Sequence, residues 1–80
     1  MGKILLADDD AATRLTVARI LRGAGYQVEL AKDGRECLEL YRTAPADVVI
    51  MDLFMPEKDG LEALIELRKE FPHEIGRAHV

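Results

Sequence analysis

The sequence predicts one α/β domain with a doubly wound parallel sheet. Short apolar runs alternate with helix-like segments, the connections between them are short, and two of the runs end in acidic residues. Continuous apolar runs are typical of parallel strands that helices bury on both faces. Strand–helix–strand alternation with short connections indicates right-handed crossovers. The chain has 80 residues, which is room for a single small domain.

The first half of the chain predicts a strand, a helix and a second strand. Lys3–Ala7 is a short apolar run, as expected of a strand that is buried on both faces. A helix is expected over about residues 11–24, with Asp10 as its N-cap and Gly25 in the left-handed position that ends it. Residues 26–31 alternate apolar and polar side chains, which is typical of a strand near a sheet edge.

The second half predicts the order helix, strand, helix. Residues 33–36 form the acid-x-x-Glu capping pattern of a second helix, which Pro45 ends. Residues 47–52 form a third strand, an apolar run that again ends in an acid. Residues 59–62 repeat the capping pattern and begin a third helix, which ends at Phe71-Pro72.

Each predicted helix carries an apolar stripe that is expected to face the sheet. In the first helix the stripe contains Leu15, Val17, Ala18, Ile20, Leu21 and Ala24. In the second helix it contains Cys37, Leu38 and Tyr41, and in the third helix Leu61, Leu64 and Ile65. We expect Cys37 to be a core residue, and as the only cysteine it excludes an internal disulfide.

Charge and hydropathy exclude several classes of function. The net charge is −4 with the basic residues scattered among acids, so direct nucleic-acid binding by this segment is not expected. The apolar runs are far too short to span a bilayer. Met1 leads almost directly into the first strand without a signal peptide, and we therefore expect a cytoplasmic protein with no membrane partner.

Three acids follow the predicted strands and carry the chemical signal. Asp8 and Asp9 end the first strand, and Asp52 ends the third. In open parallel sheets, sites form outside the carboxyl ends of neighbouring strands. If these strands are neighbours, they lie roughly 4.8 Å apart, and the three carboxylates converge. Their mutual repulsion requires a cation, and Mg²⁺ prefers such oxygen ligands. The competing interpretation is that the acids only cap the helix and end a strand, yet Asp10 alone would suffice as a cap.

These residues resemble one known family. Ile4-Leu-Leu-Ala-Asp8-Asp9 followed by Arg14, then Val48-Val-Ile-Met-Asp52-Leu-Phe-Met55-Pro56-x-x-Asp59-Gly60, resembles the receiver domain of bacterial response regulators. The resemblance covers residues 3–73. It implies a flavodoxin-like fold with strand order 2-1-3, truncated after the third helix, so that two further strands with their helices are missing.

The resemblance also implies a role for each acid. Asp52 would be the phosphoacceptor that takes a phosphoryl group from a histidine kinase or phosphotransfer protein and so switches an output domain of unknown type. Asp9, Asp52 and the backbone carbonyl of Phe54 would bind Mg²⁺, with Asp8 reaching the ion directly or through water. Such a domain modifies only itself and is not an enzyme for outside substrates. The family's later Thr or Ser, and its Lys, would lie beyond residue 80.

Two other functions stay open at this point. A phosphohydrolase of the haloacid-dehalogenase type also uses a strand that ends in Asp-x-Asp, which Asp8 and Asp10 match by spacing, but Asp52 would then be unexplained. The second alternative is a receiver-like interaction module that never takes phosphate. Phosphorylation of Asp52 and turnover of a generic phosphate ester distinguish the three.

The end of the chain does not fit the resemblance. Residues 1–73 are interpreted as a partial receiver domain, but residues 74–80 show no pattern of a fourth strand. They match the translation of a common short-read sequencing adapter, so we expect residues 74–80 to be a non-native tail. Neither His79 within this tail nor His73 just before it is then expected to have a metal or catalytic role. The chain alone is then expected to be partly unfolded or to aggregate, because Val48–Met51 becomes an apolar sheet edge and the first helix lacks a packing partner.

Overall fold

The structure is a computed structural model that describes residues 2–52 and 60–71, together with the backbone of residues 78–79. Strands and helices alternate along the chain, as the sequence predicts. They are β1 (Lys3–Ala7), α1 (Ala11–Gly23), β2 (Gln27–Ala31), α2 (Gly34–Thr43), β3 (Val48–Met51), α3 (Gly60–Glu70) and β4 (Ala78–His79). Among the described helices the longest has 13 residues, whereas a bilayer span needs about 20, and none of them could cross a membrane.

The strands form one parallel sheet in the order β2-β1-β3-β4, which confirms the predicted order 2-1-3. Ala7 of β1 lies opposite both Ala31 of β2 and Met51 of β3, so these three strands end level with one another. A level edge is what brings the residues that follow β1 and β3 together. The predicted α/β architecture is therefore confirmed for the described part of the chain.

Helices cover both faces of the sheet around β1. Leu5 belongs to the main core cluster, where residues of β1 and β3 pack with Leu38 of α2 and Leu67 of α3. Ile4 and Leu6 are also buried but lie outside that cluster, because successive side chains of a strand point to opposite faces. The strand β1 is thus buried on both sides, which explains its uninterrupted apolar sequence.

Local capping fixes the helix ends where the sequence predicts them. Asp10 is the N-cap of α1. Asp33 Oδ1 accepts a hydrogen bond from the Glu36 amide at 2.8 Å, and Glu36 Oε1 accepts one from the Lys32 amide at 3.0 Å. In this capping box the Glu36 side chain therefore binds the amide of Lys32, the residue before the N-cap Asp33. Gly25 has a φ of 99°, the left-handed conformation that glycine adopts without strain and that ends α1 as predicted.

The apolar stripe predicted for α1 is wrong in part. Ala18 is its one buried residue, whereas Leu15 is 55% exposed and Ile20 is 66% exposed. The helix contacts β2 and, less extensively, β1, and the two exposed side chains are not covered by these strands. The wide stripe is real in the sequence, but only its centre meets the sheet.

The stripe predicted for α2 is confirmed, while that of α3 is rotated. Cys37, Leu38 and Tyr41 are all buried. In α3 the buried residues are Gly60, Ala63 and Leu67. The predicted Leu61 and Ile65 are 52% and 47% exposed. The buried face of α3 therefore combines the small residues at 60 and 63 with Leu67, and the helix contacts α2. The prediction is therefore wrong for Leu61 and Ile65, whereas Leu64 is partly buried and packs against the core cluster as expected.

The strand β4 corrects two expectations about the end of the chain. Val49 pairs with Ala78, and Ile50 pairs with His79, although the sequence of residues 74–80 shows no strand pattern. Parallel pairing uses backbone groups only, so an apolar edge can recruit any extended segment. The expectation that β3 is an unpaired edge is therefore wrong for Val49 and Ile50.

The predicted start of the third helix at Asp59 lies outside the described residues.

Candidate metal centre

Two acids are fixed at the carboxyl edge of the sheet by strand-like hydrogen bonds. The amide of Asp8 donates to the carbonyl of Ala31 at 3.1 Å, and the amide of Asp52 donates to the carbonyl of Ala7 at 3.1 Å. Each bond continues the ladder one residue past the strand. Asp8 and Asp52 are consequently held side by side, one on each of two neighbouring strands.

The structure brings the three predicted acids together. One carboxylate oxygen each of Asp8, Asp9 and Asp52 lies within 4.8 Å of the other two. Asp8 and Asp52 are half-buried and Asp9 is exposed. Two unit charges at this separation repel by about 0.9 kcal/mol in water and by about 3.5 kcal/mol at an effective dielectric of 20. Three such carboxylates favour a divalent cation, and an all-oxygen donor set fits Mg²⁺.

Asp10 does not belong to this cluster because its carboxylate caps α1. Its Oδ2 accepts a hydrogen bond from the Thr13 amide at 3.0 Å and another from the Thr13 hydroxyl. These bonds to Thr13 hold the pKa of Asp10 below its usual value. The interpretation that all three consecutive acids serve as caps is therefore not what the structure shows, since Asp9 lies beside Asp52 instead.

Arg14 also contacts the site, although its position in the sequence motif indicates no role for it. Its Nη1 donates to the backbone carbonyl of Asp8 at 2.6 Å, and the side chain is half-buried. Long helical side chains point back towards the N-terminus of the helix, which lets a residue in the second turn reach the loop before it. The available signal was a basic residue four positions after the N-cap, at the spacing of one helical turn.

A cleft of about 420 Å³ opens beside the acids between α1 and β3. Its lining is mainly apolar and includes Leu6, Val17 and Ile50, together with Asp8 and Asp52. Asp8 and Asp52 are half-buried, so they border solvent as well as this apolar lining. Such a boundary lowers the local dielectric constant and strengthens charge interactions relative to open water.

Other predicted residues are placed as follows. Phe54, Met55 and Pro56 lie outside the described residues, so the third protein ligand stays a prediction. Cys37 is fully buried, and burial raises the pKa of its thiol to about 12. It is therefore a neutral core side chain, as the sequence predicts, and not a nucleophile.

Comparison with known proteins identifies the family. A family model described as the response regulator receiver domain matches residues 4–75. Response regulator MprA of Mycolicibacterium vanbaalenii is 48% identical over 66 residues, which cover 82% of this chain and 29% of that protein. The match to the family model includes the first two residues of the segment 74–80, and the non-native origin of that segment stays a prediction.

Solved structures agree with this match. The chemotaxis protein CheY4 of Vibrio cholerae superposes with a TM-score of 0.89 at 37% identity, covering 98% of this chain and 65% of that one. Response regulator TrrA of Thermotoga maritima, solved in complex with Mg²⁺ and BeF, superposes with a TM-score of 0.86 at 35% identity, covering 90% and 63%. The chain thus spans less than a third of the curated relative and about two thirds of the solved receivers.

Proposed function

This chain belongs to the family of response regulator receiver domains, and we propose that it is the phosphorylatable receiver of a two-component system. In this proposal Asp52 accepts a phosphoryl group from a histidine kinase or phosphotransfer protein in the cytoplasm, and the modified domain switches an output domain. The observation that supports the proposal most is the approach of the carboxylates of Asp8, Asp9 and Asp52 to within 4.8 Å. A solvated strand end has no need of two further acids.

The proposed chemistry begins with Asp52 as a nucleophile. A carboxylate oxygen of Asp52 forms a bond to phosphorus while the phosphorus–nitrogen bond of the donor phosphohistidine breaks. The imidazole leaves with the electron pair of that bond and takes up a proton from solvent. The half-buried position of Asp52 after β3 leaves its carboxylate open to a donor that approaches the sheet edge.

Mg²⁺ would be held by Asp9, Asp52 and the backbone carbonyl of Phe54, with Asp8 binding directly or through water. When bound, the ion neutralises the charge that spreads over the oxygens of a transferring phosphoryl group. Asp8 and Asp9 then have a defined task, which is to keep a divalent cation beside a nucleophile that is itself an anion. The Mg²⁺ and BeF in the related TrrA structure support this choice of ion and of chemistry.

The phosphohydrolase alternative is disfavoured by the role of Asp10. That function needs Asp10 in the catalytic pocket together with Asp8, whereas the Asp10 carboxylate is bonded to Thr13 as a helix cap. The absence of turnover on a generic phosphate ester is the expected result. A receiver-like interaction module that never takes phosphate would have the same family and the same fold. Only a measurement of phosphorylation therefore distinguishes it from the proposed function.

The deciding experiment exposes the full-length protein that carries this sequence to acetyl phosphate and Mg²⁺, followed by intact mass spectrometry. We expect the wild type to gain one phosphoryl group and the Asp52→Ala variant to gain none. Asp10→Asn is the matched control, because it removes an acid from the same edge but keeps an N-cap, and we expect it to gain the group normally. No gain in the wild type would favour the interaction module, and a gain that persists in Asp52→Ala would place the acceptor elsewhere.

A further inference from the structure

Arg14 is tied to the loop that carries two of the three acids. Its guanidinium donates to the Asp8 carbonyl at 2.6 Å, a short charge-assisted hydrogen bond. The backbone amide of Arg14 donates in turn to the carbonyl of Asp10 at 2.9 Å, so its position on α1 is fixed by the first turn of the helix. The side chain therefore connects a rigid helix to the residue after β1.

Two further bonds hold the same loop. The Asp8 amide donates to Ala31 at 3.1 Å, and Asp8 Oδ1 accepts from the Asp10 amide at 2.9 Å. With Arg14 on its carbonyl, Asp8 is held at its amide, its carbonyl and one carboxylate oxygen. Asp9 is exposed, and its orientation depends on the peptide bond that joins it to Asp8. That peptide bond carries the oxygen that Arg14 binds.

We propose that Arg14 is a positioning residue for the magnesium site: by holding the Asp8 carbonyl, it orients the Asp8–Asp9 peptide so that both carboxylates face Asp52. The inference rests on the proposed function, because it assumes that these acids bind Mg²⁺. Groups that orient metal ligands typically change metal affinity by about 10–100-fold when they are removed. Arg14 acts on a ligand through its backbone, so we expect an effect at the lower end, about tenfold.

The sign of the effect separates orientation from simple electrostatics. A cation near the site repels Mg²⁺, so if Arg14 acts only by its charge, its removal makes Mg²⁺ bind more tightly. If Arg14 holds the loop, its removal lets the acids separate under their own repulsion, and Mg²⁺ binds more weakly. The two explanations predict opposite changes in the same dissociation constant.

The test is isothermal titration of Mg²⁺ into the full-length protein that carries this sequence, with three variants. Arg14→Met keeps the aliphatic stem and removes every donor, and we expect about tenfold weaker Mg²⁺ binding. Arg14→Lys keeps the positive charge on a shorter side chain, and we expect a smaller loss of Mg²⁺ affinity than for Arg14→Met. Arg19→Met, at an exposed position of the same helix, is the matched control and should bind as the wild type does.

Two further readouts separate positioning from general stability. The Arg14→Met variant should remain folded in EDTA without urea, and saturating Mg²⁺ should restore its rate of phosphorylation by acetyl phosphate. Equal or tighter Mg²⁺ binding by Arg14→Met overturns the inference. If that variant does not fold, Arg14→Lys decides, since unchanged affinity there also overturns it. Absence of Mg²⁺ binding in the wild type would instead contradict the proposed function.

Discussion

Replacing Asp8 with Asn should stabilise the metal-free protein while weakening its response to Mg²⁺. The carboxylate of Asp8 lies within 4.8 Å of those of Asp9 and Asp52, and each pair repels by about 0.9 kcal/mol even at the dielectric constant of water. Neutralising Asp8 removes both repulsions, about 2 kcal/mol together. This separation is shorter than the Debye length of about 10 Å at 0.1 M salt, so ordinary buffer does not remove the effect.

One loss partly offsets this gain. Asp8 Oδ1 accepts a hydrogen bond from the Asp10 amide at 2.9 Å, and an amide oxygen in its place is a weaker acceptor by about 1 kcal/mol. The expected net change is therefore a gain of about 1 kcal/mol in the free energy of unfolding in EDTA. In the wild type, Mg²⁺ at ten times its dissociation constant adds about 1.4 kcal/mol, and Asp8→Asn should show less of this increase at the same Mg²⁺ concentration.

The assay follows urea unfolding of this domain within the full-length protein by alkylation of Cys37 and peptide-level mass spectrometry. Cys37 is fully buried, so its labelling reports on the opening of this core. Asp10→Asn is the matched control, which removes a charge from the same loop but none from the cluster, and it should keep the full response to Mg²⁺. A lower urea midpoint for Asp8→Asn in EDTA, or an undiminished response to Mg²⁺, would refute the electrostatic reasoning.

Three further predictions concern the framework around the site. Leu67→Ala should lower the free energy of unfolding by about 2–5 kcal/mol, because Leu67 is fully buried. Leu61→Ala on the same helix should change it by no more than about 0.5 kcal/mol, because Leu61 is 52% exposed. Urea titration of both variants tests this difference. The native Cys37 thiol should react with iodoacetamide far more slowly at pH 8 than the same thiol in urea, because burial raises its pKa to about 12; equal rates would contradict its placement in the core. Arg42 donates to both carboxylate oxygens of Glu70 at 2.8 and 2.5 Å and lowers the pKa of Glu70 from its usual value of 4.5. Because the pKa of Glu70 is lower in the folded state, the ion pair stabilises the protein at pH values above 4.5, and this stabilisation is lost as the pH falls through the folded-state pKa. Arg42→Gln should therefore lower the urea midpoint at pH 7 and have no effect at strongly acidic pH.

Much of the fold follows from local sequence features. The run Lys3–Ala7 predicts a strand buried on both faces because every residue after Lys3 is apolar, and the structure places it at the centre of the sheet. Asp33 and Gly25 mark helix boundaries because one supplies a side-chain acceptor and the other a left-handed backbone. Such signals depend only on neighbouring residues.

What could not be predicted depends on contacts between distant elements. Leu15 and Leu38 both belong to predicted helical stripes, but one is exposed and the other is buried, because burial is decided by which elements lie opposite. The pairing of residues 78–79 with β3 uses backbone groups and leaves no trace in side-chain pattern. The burial of Ala63 in α3 similarly reflects how closely that helix approaches its neighbours.

The candidate site divides in the same way. The convergence of Asp8, Asp9 and Asp52 was predictable, because parallel strands place their carboxyl ends at one edge and the acids follow two of those strands. The contact of Arg14 with the Asp8 carbonyl was not, since it depends on the direction of one long side chain. Sequence thus indicates the acids that bear the chemistry more readily than the group that orients them.

The most direct measurement is a crystal structure of the full-length protein grown with millimolar Mg²⁺ and beryllium fluoride. We expect one ion in contact with oxygens of Asp9 and Asp52, and Asp8 within reach of that ion directly or through one water. We also expect the beryllium of the fluoride complex to be bonded to a carboxylate oxygen of Asp52. Side chains of residues 8, 9 and 52 that point apart with no ion between them would contradict it.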